Sequence, residues 1–125
     1  NNSNILDIGS NDGTFLNLFS SKKKNINSIG IDPSAKKFEK YYKKNINLIV
    51  DFFTFSKIKN FLIKNKIRKG NFSLISSFAM FYDIEDPNSF CKDIKFYAFY
   101  SCWLTKRAGR VCYIKLKKRV FKCFD

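Results

Sequence analysis

The stretch LDIGSNDGTFL, residues 6–16, limits what this chain can fold into more than any other part of it. An apolar run breaks at Gly9, passes through Ser10, Asn11 and Asp12 to Gly13, and apolar residues then return at helical spacing from Phe15. A strand that turns through glycines into a helix forms a cradle, because glycine lets the backbone approach a small ligand and the helix start offers free N–H groups. A glycine-bounded turn is also found with no ligand at all, so the following elements decide the reading.

Those elements repeat in a regular order. NILDIG (4–9) is a buried strand, and Phe15, Leu16, Leu18 and Phe19 make one face of a helix ending in KKKN. SIGID (28–32) is a second strand, Ser34 caps a helix with Phe38, Tyr41 and Tyr42 on one face, and INLIVD (46–51) is a third strand. Thr54 or Ser56 opens a helix carrying Ile58, Phe61 and Leu62, FSLISSF (72–78) is a fourth strand, and Asp86 with Pro87 marks another helix start. Continuously apolar strands alternating with helices predict an α/β fold, a doubly wound parallel sheet covered on both faces. Its ligand belongs beyond the carboxyl ends of the strands.

Charge argues less than its size suggests. The chain of 125 residues carries a formal +14, but Lys, Asn, Ile and Phe make up about half of it. That bias accompanies A- and T-rich coding, so the Lys surplus needs no nucleic-acid partner. No apolar run approaches the roughly 18 residues of a membrane span, and a soluble, cytoplasmic chain is expected. The four cysteines lie at 91, 102, 112 and 123 without C-x-x-C spacing, and His is absent, so no metal site is expected.

The cradle's ligand follows from charge. A dinucleotide fingerprint beginning at Gly9 would need glycines where Asn11 and Thr14 stand, and a carboxylate at Asp12 would repel a pyrophosphate. A ligand with positive charge reverses that objection. S-adenosylmethionine carries a sulfonium and an ammonium, and acidic residues close three successive strands or their loops: Asp7, Asp32 and Asp51. Asp32 is placed to accept from ribose hydroxyls, Asp51 from the adenine amino group, and Phe52 to pack on the ring, although a Phe there also serves a core.

LDIGSNDGTFLNLF, GIDPS and ISSFAMFYDIEDPNSF resemble the class I S-adenosylmethionine-dependent methyltransferases over residues 4–94, closest to the subgroup of nucleotide-sugar C-methyltransferases. The resemblance implies a methionine-binding loop of Asp7, Gly9, Ser10, Asn11 and Gly13, a ribose site at Asp32 and Pro33, an adenine site at Asp51 and Phe52, and a lip beneath the cofactor at Ser77 and Phe78. Asn11 departs from the general class, which has glycine there. The implied substrate is a small molecule, a nucleotide-linked sugar. Tyr82 and Asp83 are the weak candidates for catalytic groups. An RNA-associated methyltransferase fold and an inactive fragment are the alternatives.

Residues 1–94 thus read as the cofactor-binding core. Residues 95–125 are a different kind of sequence, basic and holding the only Trp, and match no family pattern. The expectation for them is a frameshifted tail of a truncated chain, with 110–116 as a fifth strand at most. A sheet ending at the fourth strand would leave that strand's edge unpaired.

Overall fold

A computed structural model describes residues 3–22, 25–67, 72–78, 84–97, 102–107, 110–115 and 120–123. The four apolar runs become strands β1 (Ser3–Ile8), β2 (Ile26–Ile31), β3 (Ile46–Ile49) and β4 (Phe72–Phe78). Helices α1 (Thr14–Lys22), α2 (Phe55–Lys64) and α3 (Pro87–Tyr97) and a 3-10 segment (Ala35–Tyr41) alternate with them, and β5 (Cys102–Arg107), β6 (Arg110–Lys115) and β7 (Val120–Cys123) follow. The strand order is β3-β2-β1-β4-β5-β6-β7. Strands β1 to β5 run parallel, and β6 and β7 are antiparallel to their preceding neighbours.

Because the chain moves outward from β1 through β2 to β3 and then returns to β4 on the other side of β1, right-handed crossovers place α1 on one face and α2 and α3 on the other. The core divides accordingly. Leu6, Ile8, Ile29, Ile31 and Ile75 pack against Ile58 and Leu62 of α2 and Phe90, Ile94 and Tyr97 of α3. Ile5 and Ile46 pack against Leu16 of α1 on the opposite face. The crevice at the carboxyl ends of β1 and β4, where the winding reverses, is the place where such sheets bind ligands.

Three expectations need correction. Leu18 is exposed, because it lies about 160° around the helix axis from the buried Leu16. The helix expected after Ser34 is a 3-10 segment: Ser34 gives both its N–H and its hydroxyl to Asp32 Oδ1 and leaves the segment without a side-chain cap. The edge of β4 is not open, since β5 pairs with it in parallel from Leu74↔Cys102 to Phe78↔Lys106. Its CWLTKR run mixes strand-favouring and basic residues, and pairing with β4 outweighs that ambiguous local signal.

Helix starts obey local chemistry. Thr54 Oγ1 accepts from Lys57 N–H at the head of α2, and Asp86 Oδ1 accepts from the N–H groups of Asn88 and Ser89 ahead of α3, with Pro87 first in the helix. The two helices are tied together as Phe55 N–H donates to Asp93 and the Tyr97 hydroxyl donates to Phe55 O at 2.7 Å.

At the opposite end of the sheet, three asparagines join three strands. Asn27 Nδ2 donates to Asn4 Oδ1 at 3.3 Å, and Asn47 Nδ2 donates to Asn27 Oδ1 at 2.9 Å. A one-residue slip would break both bonds and turn the apolar faces outward. Asn27→Ala leaves the buried Asn4 amide without its donor, and chemical denaturation is expected to show a loss of about 1 to 3 kcal/mol.

Candidate functional site

The glycine loop after β1 takes a left-handed backbone at alternate residues: φ is 75° at Gly9, 47° at Asn11 and 75° at Gly13. Two of these positions carry glycine, and the third carries the residue type that enters this region most readily after glycine. The Asn11 departure noted in the sequence therefore preserves the backbone shape. Gly9 N–H donates to Ile31 O and Gly13 N–H to Ser10 O, both at 2.8 Å, and Asn11 N–H donates to Asp32 Oδ2 at 3.0 Å. Asp12 stands just ahead of the first turn of α1, not within it. Its Oδ1 accepts from Thr14 N–H at 3.0 Å, which holds this carboxyl below its usual range.

The three strand-end carboxylates have three different environments. Asp32 is buried and accepts three protein donors: Ser34 N–H and Oγ–H on Oδ1, and Asn11 N–H on Oδ2. A carboxylate has about four lone-pair sites, so Oδ2 keeps one. Asp7 is buried beside β4, where Ser76 Oγ donates to its Oδ1 at 2.7 Å. Burial pushes the Asp7 carboxyl up to about 7, the Ser76 bond opposes this, and the charge of Asp32 adds to it. Asp51 is turned to Lys57 of α2 and to its neighbour's Phe52 N–H, and the Lys57 ammonium holds it below the usual carboxylate range.

A cleft of about 850 Å³ opens beside Asp32 on the α2 and α3 face. Its floor is Ile8 and Ile31, one wall is Asp32, Pro33 and Ser34, and another is Phe52, Phe53 and Thr54. Ile84, Glu85, Asp86, Ser89, Phe90 and Asp93, from the loop before α3 and its first turns, complete it. Four carboxylates line this cleft and no Lys or Arg does among the described residues. In a chain of net +14 that arrangement favours a cationic or neutral ligand and disfavours a phosphate.

Of the residues singled out in the sequence, Asp32, Pro33 and Phe52 line the cleft, and Phe52 is 67% exposed at its rim. Gly9, Ser10, Asn11 and Gly13 build the adjoining loop, and Asp7 lies buried behind it. Asp51 does not line the cleft. Ser77 is fully buried at the end of β4, and its hydroxyl finds no partner among the described residues. Phe78 stands edge-on to Phe15 of α1, with ring centroids 4.8 Å apart. Tyr82 and Asp83 lie outside the described residues.

Sequence reasoning missed the α3 wall and Tyr42. The Asp86–Pro87 helix start was a legible sign of the first, since a helix that begins just after β4 puts its opening turns over the crevice. Nothing local marked the second.

Asp7 makes stability depend on pH in a stated direction. Its folded-state pKa of about 7 lies above the usual 3.8, so the stability it contributes is complete below pH 3.8 and is lost as pH rises through 7. At about 1.4 kcal/mol per pH unit the loss is roughly 4 kcal/mol. Thermal unfolding midpoints are expected to fall between pH 5 and pH 8, and Asp7→Asn to flatten that dependence.

Residues 1–99 match the family model described as a methyltransferase domain. Among solved structures, the fold is similar to an antibiotic-related methyltransferase at 17% identity and a TM-score of 0.60, over 87% of this chain and 60% of that one. The plantazolicin methyltransferase BpumL, solved with a triazolic desmethylPZN analog and SAH, is similar at 23% identity and 0.61, over 82% of this chain and 38% of that one. A complex between the Haloferax volcanii Trm112 methyltransferase activator and the putative methyltransferase gives 16% and 0.62, over 82% of this chain and 44% of that one. No curated protein matches the chain. This chain spans between 38% and 60% of the length of those three structures. With the family model covering residues 1–99 of 125, the chain belongs to the methyltransferase domain family.

Proposed function

We propose that this chain is the cofactor-binding part of an S-adenosylmethionine-dependent methyltransferase. The observation that carries the reading is the pairing of a left-handed loop tied to Asp32 with a cleft lined by four carboxylates and three phenylalanines. The residues fit the cofactor's chemistry: the glycine loop suits a close approach by the methionine part, the open lone pair of Asp32 suits a ribose hydroxyl, and Phe52 and Phe53 suit an adenine. When bound, the cofactor supplies an electrophilic methyl group on a sulfonium. The acidic lining of the cleft stabilises positive charge at that end of the crevice.

Asp51 enters this proposal in a changed role. Its carboxylate is engaged by Lys57, and the carboxylates on the cleft wall facing Asp32 belong to Glu85, Asp86 and Asp93. The methyl acceptor is a small molecule in this reading. The subgroup resemblance favours a nucleotide-linked sugar methylated at carbon, where a base must first remove a proton beside a carbonyl. Because the described cleft has no basic side chain, a diphosphate would have to be held outside it.

Calorimetric titration separates cofactor classes. S-adenosylmethionine and S-adenosylhomocysteine are expected to bind and a reduced nicotinamide dinucleotide is not; preferential dinucleotide binding overturns the assignment. Asp32→Ala removes the acceptor for the cofactor and the anchor of Asn11 together, and is expected to weaken cofactor binding by about 2 to 4 kcal/mol, read in the same titration.

A further inference from the structure

Tyr42 lies outside every sequence signal for the site, yet it reaches the glycine loop from the far end of the 3-10 segment. Its backbone is extended, with φ −75° and ψ 135°. Its hydroxyl donates to Asn11 O at 2.7 Å and lies 2.9 Å from Ser10 Oγ. A phenol has one proton, so Ser10 Oγ–H donates to Tyr42 and Tyr42 passes its own proton to Asn11 O. Burial pushes the phenol up to about 12, so it keeps that proton throughout the working pH range.

The ring contributes as well. A Cβ built at Gly13 would lie 2.7 to 2.9 Å from three Tyr42 ring carbons, so the ring closes over residue 13 in a space only glycine leaves. Beneath the loop, a Cβ at Gly30 would lie 2.7 Å from Ser10 Oγ, so β2 leaves room for the serine that completes the chain of bonds. Asn17 of α1 holds the segment in place: its Nδ2 donates to Tyr41 O at 2.9 Å and its Oδ1 accepts from Lys43 N–H at 3.1 Å.

We propose that Tyr42 is a positioning residue that latches the loop in its cofactor-binding shape, gripping the Asn11 carbonyl while Asp32 grips the Asn11 N–H. Both hydrogen-bonding groups of the one non-glycine residue in the left-handed region of the loop are thereby fixed. A left-handed asparagine has other conformations open to it at little cost. The latch removes them before ligand arrives, and preorganisation of this kind raises affinity without adding a contact to the ligand.

This inference rests on the cofactor reading above, and the test separates the two. Wild type, Tyr42→Phe, Ser10→Ala and a control, Ile58→Val in the α2 face of the core, across the sheet from Tyr42 and not in the cleft lining, are compared by titration with S-adenosylmethionine and by amide hydrogen exchange. Tyr42→Phe is expected to bind about 5- to 30-fold more weakly and to speed exchange at Asn11 through Thr14 by about 10-fold relative to core amides, with Ser10→Ala in between. Ile58→Val is expected to lower the unfolding midpoint and leave both readouts as in wild type. Wild-type affinity and loop exchange in Tyr42→Phe overturn the latch, as does faster exchange spread evenly over core and loop. If wild type itself binds no S-adenosylmethionine, the cofactor reading fails and the exchange comparison alone decides whether Tyr42 holds the loop.

Discussion

The structure depends on one segment of backbone in an uncommon conformation, the left-handed steps at Gly9, Asn11 and Gly13. They turn the chain from β1 into α1 within five residues and shape the end of the crevice at β1. Glycine makes two of the steps inexpensive. The third is held by neighbours, with a carboxylate from the end of β2 on its N–H and a phenol from beyond the 3-10 segment on its carbonyl. Asp32 is thus a structural anchor and a wall of the cleft at once, and substitutions there act on both.

Electrostatics divide the molecule in a way net charge conceals. A chain of +14 collects carboxylates at the carboxyl ends of its strands. Their states differ: Asp12 and Asp51 are held ionised by a helix-start N–H and a lysine, whereas Asp7, buried beside Ser76, is poised near neutrality. A buried carboxyl of that kind lowers stability above its pKa, and such groups concentrate at functional sites. The family membership and the acidic cleft support the same reading from separate directions, one from the pattern of residues 1–99 and the other from the charge a ligand must carry.

Much of the fold was legible because its signals were local. Strand β4 runs over the residues its apolar run marks out, and Asp86 with Pro87 opens α3 as capping chemistry requires. Asp32 was legible by position, a carboxylate at a strand end about one βα unit past the loop. Asp51 shares that position but does not line the cleft, and Lys57 in the first turn of α2 pairs with its carboxylate. Periodicity reads Tyr42 as part of an apolar helix face; its reach to the glycine loop depends on a 3-10 segment ending in extended chain and on room left by Gly13 and Gly30, none of which periodicity reports. Strand β5 was missed for a related reason, since its pairing with β4 is a long-range gain that its mixed composition hides.

The most direct test asks whether the proposed cofactor occupies the loop and the acidic cleft beside it as one site. At 14.7 kDa the chain suits amide chemical-shift mapping during titration with S-adenosylmethionine. Shifts are expected at Gly9 through Gly13, at Asp32 and Ser34, at Phe52 and Phe53, and at Glu85, Asp86 and Asn88 through Phe90, saturating together with one affinity. Shifts confined to the lysine-rich surface, or saturation of the loop and the cleft at different ligand concentrations, would contradict a single site.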